Sequence, residues 1–418
     1  MGGLLLGLAA SLTGSPLLTG VAEGVEPLGT AFVDLLKMVV LPLVASVVFV
    51  GVASLGDLKK LGRMGAVTMG YITVTAVVGA LWGMGVMRAL LPLASEAAAD
   101  AATATGMDAP VLPGPVQFLL ELIPANPFQA AAEGQLLPLI LFVILLAAAT
   151  GTLPPEQRDR LNGVAESLAS ALIKLVDWIL WVAPLGVFAL AAPVTARAGW
   201  ALLQSLLAFV LAVLLGLVVF VGVVLLPTVR FLARVPPGAF LKACISPQVI
   251  AAASVSSPAT VPAMLEAAEE MDVPEGVAGF VISLGAGLSR AGSAVFQGAS
   301  VVFLAWLYGV PLPAVAVAGA TLAILIVSLT IPSIPGGSVL SMAPAFGTIG
   351  IPLDGLAVLL SIDRIPDMAR TATNVTSTMV ATVVVGRLES SSGDEGNPRP
   401  SSSDGSIPPY PEKREEVP

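Results

Sequence analysis

Residues 361–380 read SIDRIPDMARTATNVTSTMV. On a helix turning about 100° per residue, Asp363, Asp367, Arg370, Asn374 and Thr378 fall within an arc of about 80°. Ala369, Ala372, Val375 and Met379 lie elsewhere on the same helix. The surrounding chain is 56% hydrophobic and only 11% charged. An ionised side chain at the centre of a bilayer costs about 2.5 kcal/mol or more, so such residues face a cavity or a partner. Arg370 follows Asp367 by three residues, which allows the two to pair on one face. A guanidinium has five N–H donors, more than one carboxylate can use. The stripe reads as a binding site for a solute that is both charged and polar. Polar glue between helices is the competing reading, although glue needs one or two such residues and not five in register. Asp363 and its neighbour Arg364 point about 100° apart, so Asp363 is expected to meet another helix. Pro366 is expected to kink the chain just ahead of the site.

The bulk composition agrees with a membrane setting. Soluble domains carry about 25% charged residues, whereas this chain of 418 residues carries 11% and has a mean hydropathy of +0.93. Long apolar runs recur, which predicts an all-α polytopic membrane protein whose chief partner is the lipid bilayer. The net charge of −9 says little about partners, because the segment 389–418 holds seven acids and three bases and so supplies −4 of it. Its Ser, Pro, Gly and Glu content predicts a disordered cytoplasmic tail. The chain has no histidine and a single cysteine, Cys244. Ser-His and Cys-His catalysis, His-ligated metals and an internal disulfide are thereby excluded. No metal, cofactor or nucleic-acid partner is expected.

The first apolar stretch, MGGLLLGLAASLTG, is too short to span, and without a basic leader it does not read as a signal peptide. Either it is a half-span or the true start lies upstream. Spans are expected over 28–55, 66–91, 168–192 and 200–226, with an interrupted apolar block over 116–149. Lys59, Lys60 and Arg63, then Arg158 and Arg160, then Arg230, Arg234 and Lys242 mark loops that the positive-inside rule places in the cytoplasm, along with both termini. Arg197 is a minor exception. After residue 236 the apolar segments shorten and contain Ser, Pro and Gly clusters, SVSSPATVP at 254–262 and SIPGGSVLS at 333–341. Each precedes a helix with a polar centre. Pro258 lies 32 residues before Arg290, and Gly336 lies 34 before Arg370. Two interrupted hydrophobic segments at matching places point to the binding site of an inverted-repeat secondary transporter. Such backbone is tolerated at membrane depth only when buried in protein or lining a watery cavity. Ordinary loops between full helices are the alternative.

The residues LLKMVVLP at 35–42, IPANPF at 123–128, EGQLLP at 133–138, APLGVFAL at 183–190, SS-x-x-T-x-P at 256–262, IPGG at 334–337 and DMARTATNVT at 367–376 resemble, taken together, the dicarboxylate/amino acid:cation symporters, the group of glutamate and aspartate transporters. The resemblance runs from about 28 to 388. It implies eight transmembrane helices and two re-entrant hairpins, at about 237–270 and 313–350, in an inverted-repeat elevator fold assembled as a homotrimer. Residues 1–65 would form scaffold helices 1 and 2 with the first shortened, 66–94 helix 3 of a transport domain, 95–198 scaffold helices 4 and 5, and 199–388 the remaining transport domain. By the same resemblance Arg370 would hold the side-chain carboxylate of a small anionic substrate and Asp367 its amino group. Thr371 and Asn374 would complete the shell, while Ser256, Ser257, Ile334, Pro335 and Gly336 would serve the α-carboxylate from the hairpin tips. Aspartate or glutamate is the first choice of substrate, with C4-dicarboxylates behind.

The coupling positions depart from the family pattern. The family's N-M-D-G-T reads here Ser289, Arg290, Ala291, Gly292, Ser293, and a second sodium-ligating aspartate is replaced by Thr378. Two carboxylates are gone and a guanidinium has arrived. Tyr71, Thr75 and Gly285 remain at places that resemble ion contacts, but hard cations want compensating charge. A fixed cation beside the vacated site repels them. Arg290 is therefore expected to substitute for a bound ion, so that transport is coupled to protons or independent of ions. The competing reading has Arg290 simply bridging Asp363 or Asp367. If protons couple, Asp363, Asp367 and Glu121 are the candidates. A carrier in the cell membrane is the leading class, and a non-transporting membrane sensor on the same fold is the second. An intramembrane enzyme built on Asp363 and Asp367 ranks last, because both carboxylates share a face with Arg370.

Overall fold

The computed structural model describes residues 2–58, 62–103, 120, 123–133, 135–328 and 336–393. Every regular element among them is helical, as an apolar chain requires when water is absent to satisfy its backbone. Three helices are long and apolar enough to cross a membrane: Gly62–Leu93, Gly199–Ala233 and Glu275–Leu307. The pair Pro155–Val176 and Trp181–Arg197, bent by 57°, passes the same test of length and apolarity when taken together. The span expected over 168–192 falls across this bend. Pro184, inside that helix, has no N–H to offer the carbonyl of Leu180 one turn back.

The segment expected to span over 28–55 lies within one helix, Glu26–Leu58, with Pro42 inside it. Phe32, Val39 and Leu43 of this helix bury against Val176 and Ile179 of the bent pair. The first apolar stretch forms the helix Gly2–Thr13, ended by Gly14 at φ +58°, and Pro16–Gly24 follows. In the IPANPF segment Asn126 caps the helix Pro127–Ala132, its Oδ1 accepting from the N–H groups of Phe128 and Gln129.

Beyond residue 236 the chain twice folds back on itself. Pro237–Ala243 and Ile245–Ser254 run out, and Pro258–Thr260 and Val261–Glu269 return. The reversal falls at Val255, whose φ of +54° is strained for a β-branched residue. The second helix–turn–helix comprises Ala314–Ser328 and then Gly337–Leu340 with Ala343–Ile349. Of its tip, Gly336 is described, at φ +72°. The final helix is Arg364–Gly393.

The helix Ala291–Leu307 occupies the centre, with every residue except Trp306 buried. It packs on Gly62–Leu90, on the second helix–turn–helix and on the final helix. Glycines set the first of these distances. A Cβ on Gly79 would lie 2.8 Å from the carbonyl oxygen of Ala291, and one on Gly83 or Gly298 would overlap the carbonyl oxygens of Val295 and Ala80. Small residues at such crossings let backbones approach where no hydrophobic effect drives helices together. Gly83→Val should therefore force the pair apart at a cost of about 1–3 kcal/mol or more. Gly85→Val, where a Cβ meets open space, should be tolerated. Thermal unfolding in detergent measures both, and equal melting temperatures would contradict the close packing.

Candidate functional site

The polar stripe begins at a helix break. Gly355–Ile362 ends at Asp363 and the final helix starts at Arg364. Pro366 cannot donate to the carbonyl of Ile362, and Asp367 restores the ladder by donating its N–H to the carbonyl of Asp363 at 2.8 Å. The break expected at Pro366 is therefore present three residues upstream. Arg370 Nη1 lies 2.5 Å from Asp363 Oδ1, Nη2 donates to Asp363 Oδ2 at 3.0 Å, and Nη2 lies 2.8 Å from Asp367 Oδ1. The pairing of Asp367 with Arg370 is as expected. Asp363, expected to meet another helix, instead takes Arg370 in a two-bond fork. The guanidinium carbon sits 4.5 Å from the centre of the Phe296 ring, which fixes the plane of the fork.

Arg290 lies in the break between Glu275–Leu288 and Ala291–Leu307. It is within electrostatic reach of both Arg370 and Asp367. Among the described residues the buried charged side chains are Arg290, Asp363, Asp367 and Arg370, each 6% exposed or less. Two cations face two anions, so the buried charge sums to zero. This balance matters because an uncompensated buried ion costs several kcal/mol.

Asn374 packs its amide against the start of the central helix. Its Oδ1 accepts from the Ser293 N–H at 3.1 Å, and its Nδ2 donates to Ser293 Oγ at 3.0 Å. Gly292 permits the approach, since a Cβ there would stand 2.5 Å from the carbonyl oxygen of Arg370. Thr371 and Thr378 donate to carbonyls one turn back, those of Asp367 and Asn374. Gly336, at the tip of the second helix–turn–helix, donates its N–H to Asp367 Oδ2 at 3.3 Å. The structure so joins Asp363, Asp367, Arg370, Asn374 and Gly336 in one neighbourhood. Ile334, Pro335 and Glu121 lie outside the described residues. Ser256 is half-buried and Ser257 is 3% exposed, with its hydroxyl lacking a partner among the described residues.

Of the positions expected to have coupled ions, Ser289, Arg290 and Ala291 lie at the break between Glu275–Leu288 and Ala291–Leu307. Thr378 fills the space beside Gly285, where a Cβ would be 2.5 Å from its Cγ2. Ser289 and Ala291 are buried on either side of Arg290. Thr75 donates to the carbonyl of Tyr71 at 2.8 Å. Three side chains escaped the sequence reading: Phe296, Gln297 and Ser338. Gln297 donates to the carbonyl of Ser338 at 3.0 Å and to Ser341 Oγ at 3.1 Å, and Ser338 Oγ donates to Ser293 Oγ at 3.1 Å. The four-residue spacing of Ser289, Ser293 and Gln297 in SRAGSAVFQ was the available signal, since it aligns them on one helical face.

Comparison with known proteins adds an independent line. A family model described as the sodium:dicarboxylate symporter family matches residues 1–388. The proton/glutamate-aspartate symporter of Escherichia coli K12 is 32% identical over 372 residues, covering 87% of this chain and 85% of its own length. The proton/sodium-glutamate symport protein of Geobacillus stearothermophilus is 31% identical over 406 residues, covering 94% of both chains. C4-dicarboxylate transport protein 1 of Pseudomonas aeruginosa PAO1 is 32% identical over 376 residues, covering 88% of this chain and 83% of its own.

The ion-pair geometry makes a direct prediction. Arg370→Met leaves Asp363 and Asp367 together without their counter-charge and should destabilise the protein by about 3–5 kcal/mol. Adding Asp363→Asn should recover part of that loss, because the two sites share one interaction. Chemical unfolding in detergent would show it, and simple additivity of the two substitutions would refute the pairing.

Proposed function

Because the chain belongs to the sodium:dicarboxylate symporter family, we propose that it is a secondary active transporter of acidic amino acids such as aspartate or glutamate, or of C4-dicarboxylates. The observation that carries this reading is the two-bond fork between Arg370 and Asp363. A guanidinium recognises a planar carboxylate through two parallel bonds. Asp363 thus occupies the place at Arg370 that the carboxylate of a solute would take, and binding means replacing it. Asp367 then supplies the negative charge that an ammonium group requires, with Thr371 and Asn374 beside it and Gly336 at the hairpin tip. The relatives named for glutamate, aspartate and C4-dicarboxylates support both substrate classes.

In this reading the two helix–turn–helix segments are re-entrant hairpins, and eight membrane helices surround them. Residues 66–94 and 199–388 form a transport domain that slides against a scaffold of 1–65 and 95–198 in a homotrimer, with both termini in the cytoplasm. The coupling scheme follows from the charges. With Arg290 present the buried charges already balance, so a bound sodium ion would leave an excess positive charge. Arg290 takes the place of that ion, and transport runs on protons or on the substrate gradient alone. Asp363 and Asp367 are then the proton acceptors within the described residues.

Uptake of labelled L-aspartate, L-glutamate and succinate into proteoliposomes should proceed without sodium, and an imposed sodium gradient alone should not stimulate it. Robust stimulation by sodium would sink the role given to Arg290. Binding without counterflow would mark a sensor instead of a carrier. Arg370→Ala should weaken dicarboxylic ligands by about 100-fold, the equivalent of one charge-assisted fork, as read by ligand-induced thermal shift.

A further inference from the structure

Gln297 is fully buried on the central helix, one turn beyond Ser293. Its Nε2 donates to the carbonyl of Ser338 and to Ser341 Oγ, which uses both N–H groups of the amide. The carbonyl of Ser338 can only accept, so the orientation of the amide follows. Oε1 in turn lies 3.5 Å from the hydroxyl of Ser328. Ser328 is the last residue of the helix Ala314–Ser328, whereas Ser338 and Ser341 belong to the start of the returning arm. One amide therefore spans both arms of the second helix–turn–helix on either side of its tip. Ser293 reinforces the clasp by accepting from Ser338 Oγ while it also holds Asn374. Two residues before Ser338, Gly336 donates its N–H to Asp367.

We infer that Gln297 is a positioning residue that fixes the returning arm of this hairpin against the central helix, and through it the distance from the Gly336 N–H to Asp367. Its bonds go to the arm and not to the ionised residues. It acts on a bound solute only by setting how firmly the tip is held. Moving the returning arm off the central helix means giving up two buried hydrogen bonds, and an amide stripped of both leaves polar atoms unsatisfied in an apolar interior. The consequence for solute retention rests on the transport reading above. The clasp itself does not.

Hydrogen exchange on the full-length protein in detergent, without added solute, tests the clasp. Gln297→Met keeps the length of the side chain and removes its polar atoms. Amides from Ser338 to Met342 should exchange about tenfold faster or more, while those from Asp367 to Asn374 keep their protection. Ser341→Ala, which removes one bond of the two, should give a smaller acceleration at the same amides and serves if Gln297→Met does not fold. The paired variant should be less than additive. With L-aspartate bound, dissociation should be about tenfold faster in Gln297→Met, with its association rate unchanged. Unchanged exchange at Ser338–Met342, or acceleration spread evenly over all helices, would overturn the inference. If the wild-type protein binds no acidic solute, the transport reading fails and the exchange result still decides the role of Gln297.

Discussion

Among the described residues two carboxylates and two guanidiniums are buried, and their mutual neutralisation constrains what is built around them. Asp363 and Asp367 both pair with Arg370, while Arg290 stands within electrostatic reach of Arg370 and Asp367. Moving a lone charge of this kind from water into a low-dielectric interior costs several kcal/mol after relaxation. The four are tolerable only as a set. The break at Ser289–Arg290 serves this set, because it places Arg290 at the start of the central helix, within electrostatic reach of Arg370 and Asp367. Close backbone approach serves it too. Gly292 lets the start of the central helix touch Arg370 and Thr373 directly.

A neutral cluster of this sort is well suited to exchange. Arg370 is held by a fork that a carboxylate on a small solute would reproduce, and Asp363, once displaced, would need a proton in place of its partner to keep the buried charge balanced. Among the described residues the buried charges, Arg290, Arg370, Asp363 and Asp367, sum to zero.

Around the charges runs a shell of neutral polar contacts that ties two segments to the central helix. Asn374 of the final helix meets Ser293, Ser293 meets Ser338, and Gln297 meets Ser338 and Ser341. Each bond is buried, so each is costly to leave unmade. This shell makes the tip of the second helix–turn–helix and the ionised site one mechanical unit.

The membrane class, the helical architecture, the folding back at two interrupted segments and the polar stripe on the final helix were all determined by sequence alone. Hydropathy and helical periodicity are local properties, and a stripe such as Asp367, Arg370 and Asn374 needs only neighbouring residues to be read. The family motifs added an expected partner for Arg370, the carboxylate of a solute. Three features were decided by tertiary structure. The bend near Pro184 depends on how the freed carbonyl is accommodated. Asp363 and Arg370 share a face in the helical projection, but that they fork together and are buried was decided by the packing around them. Gln297 became a clasp because segments 31 and 41 residues away in the chain come within hydrogen-bond reach of it. Periodicity tells which face a side chain occupies, but only the packing of distant segments decides what that face meets.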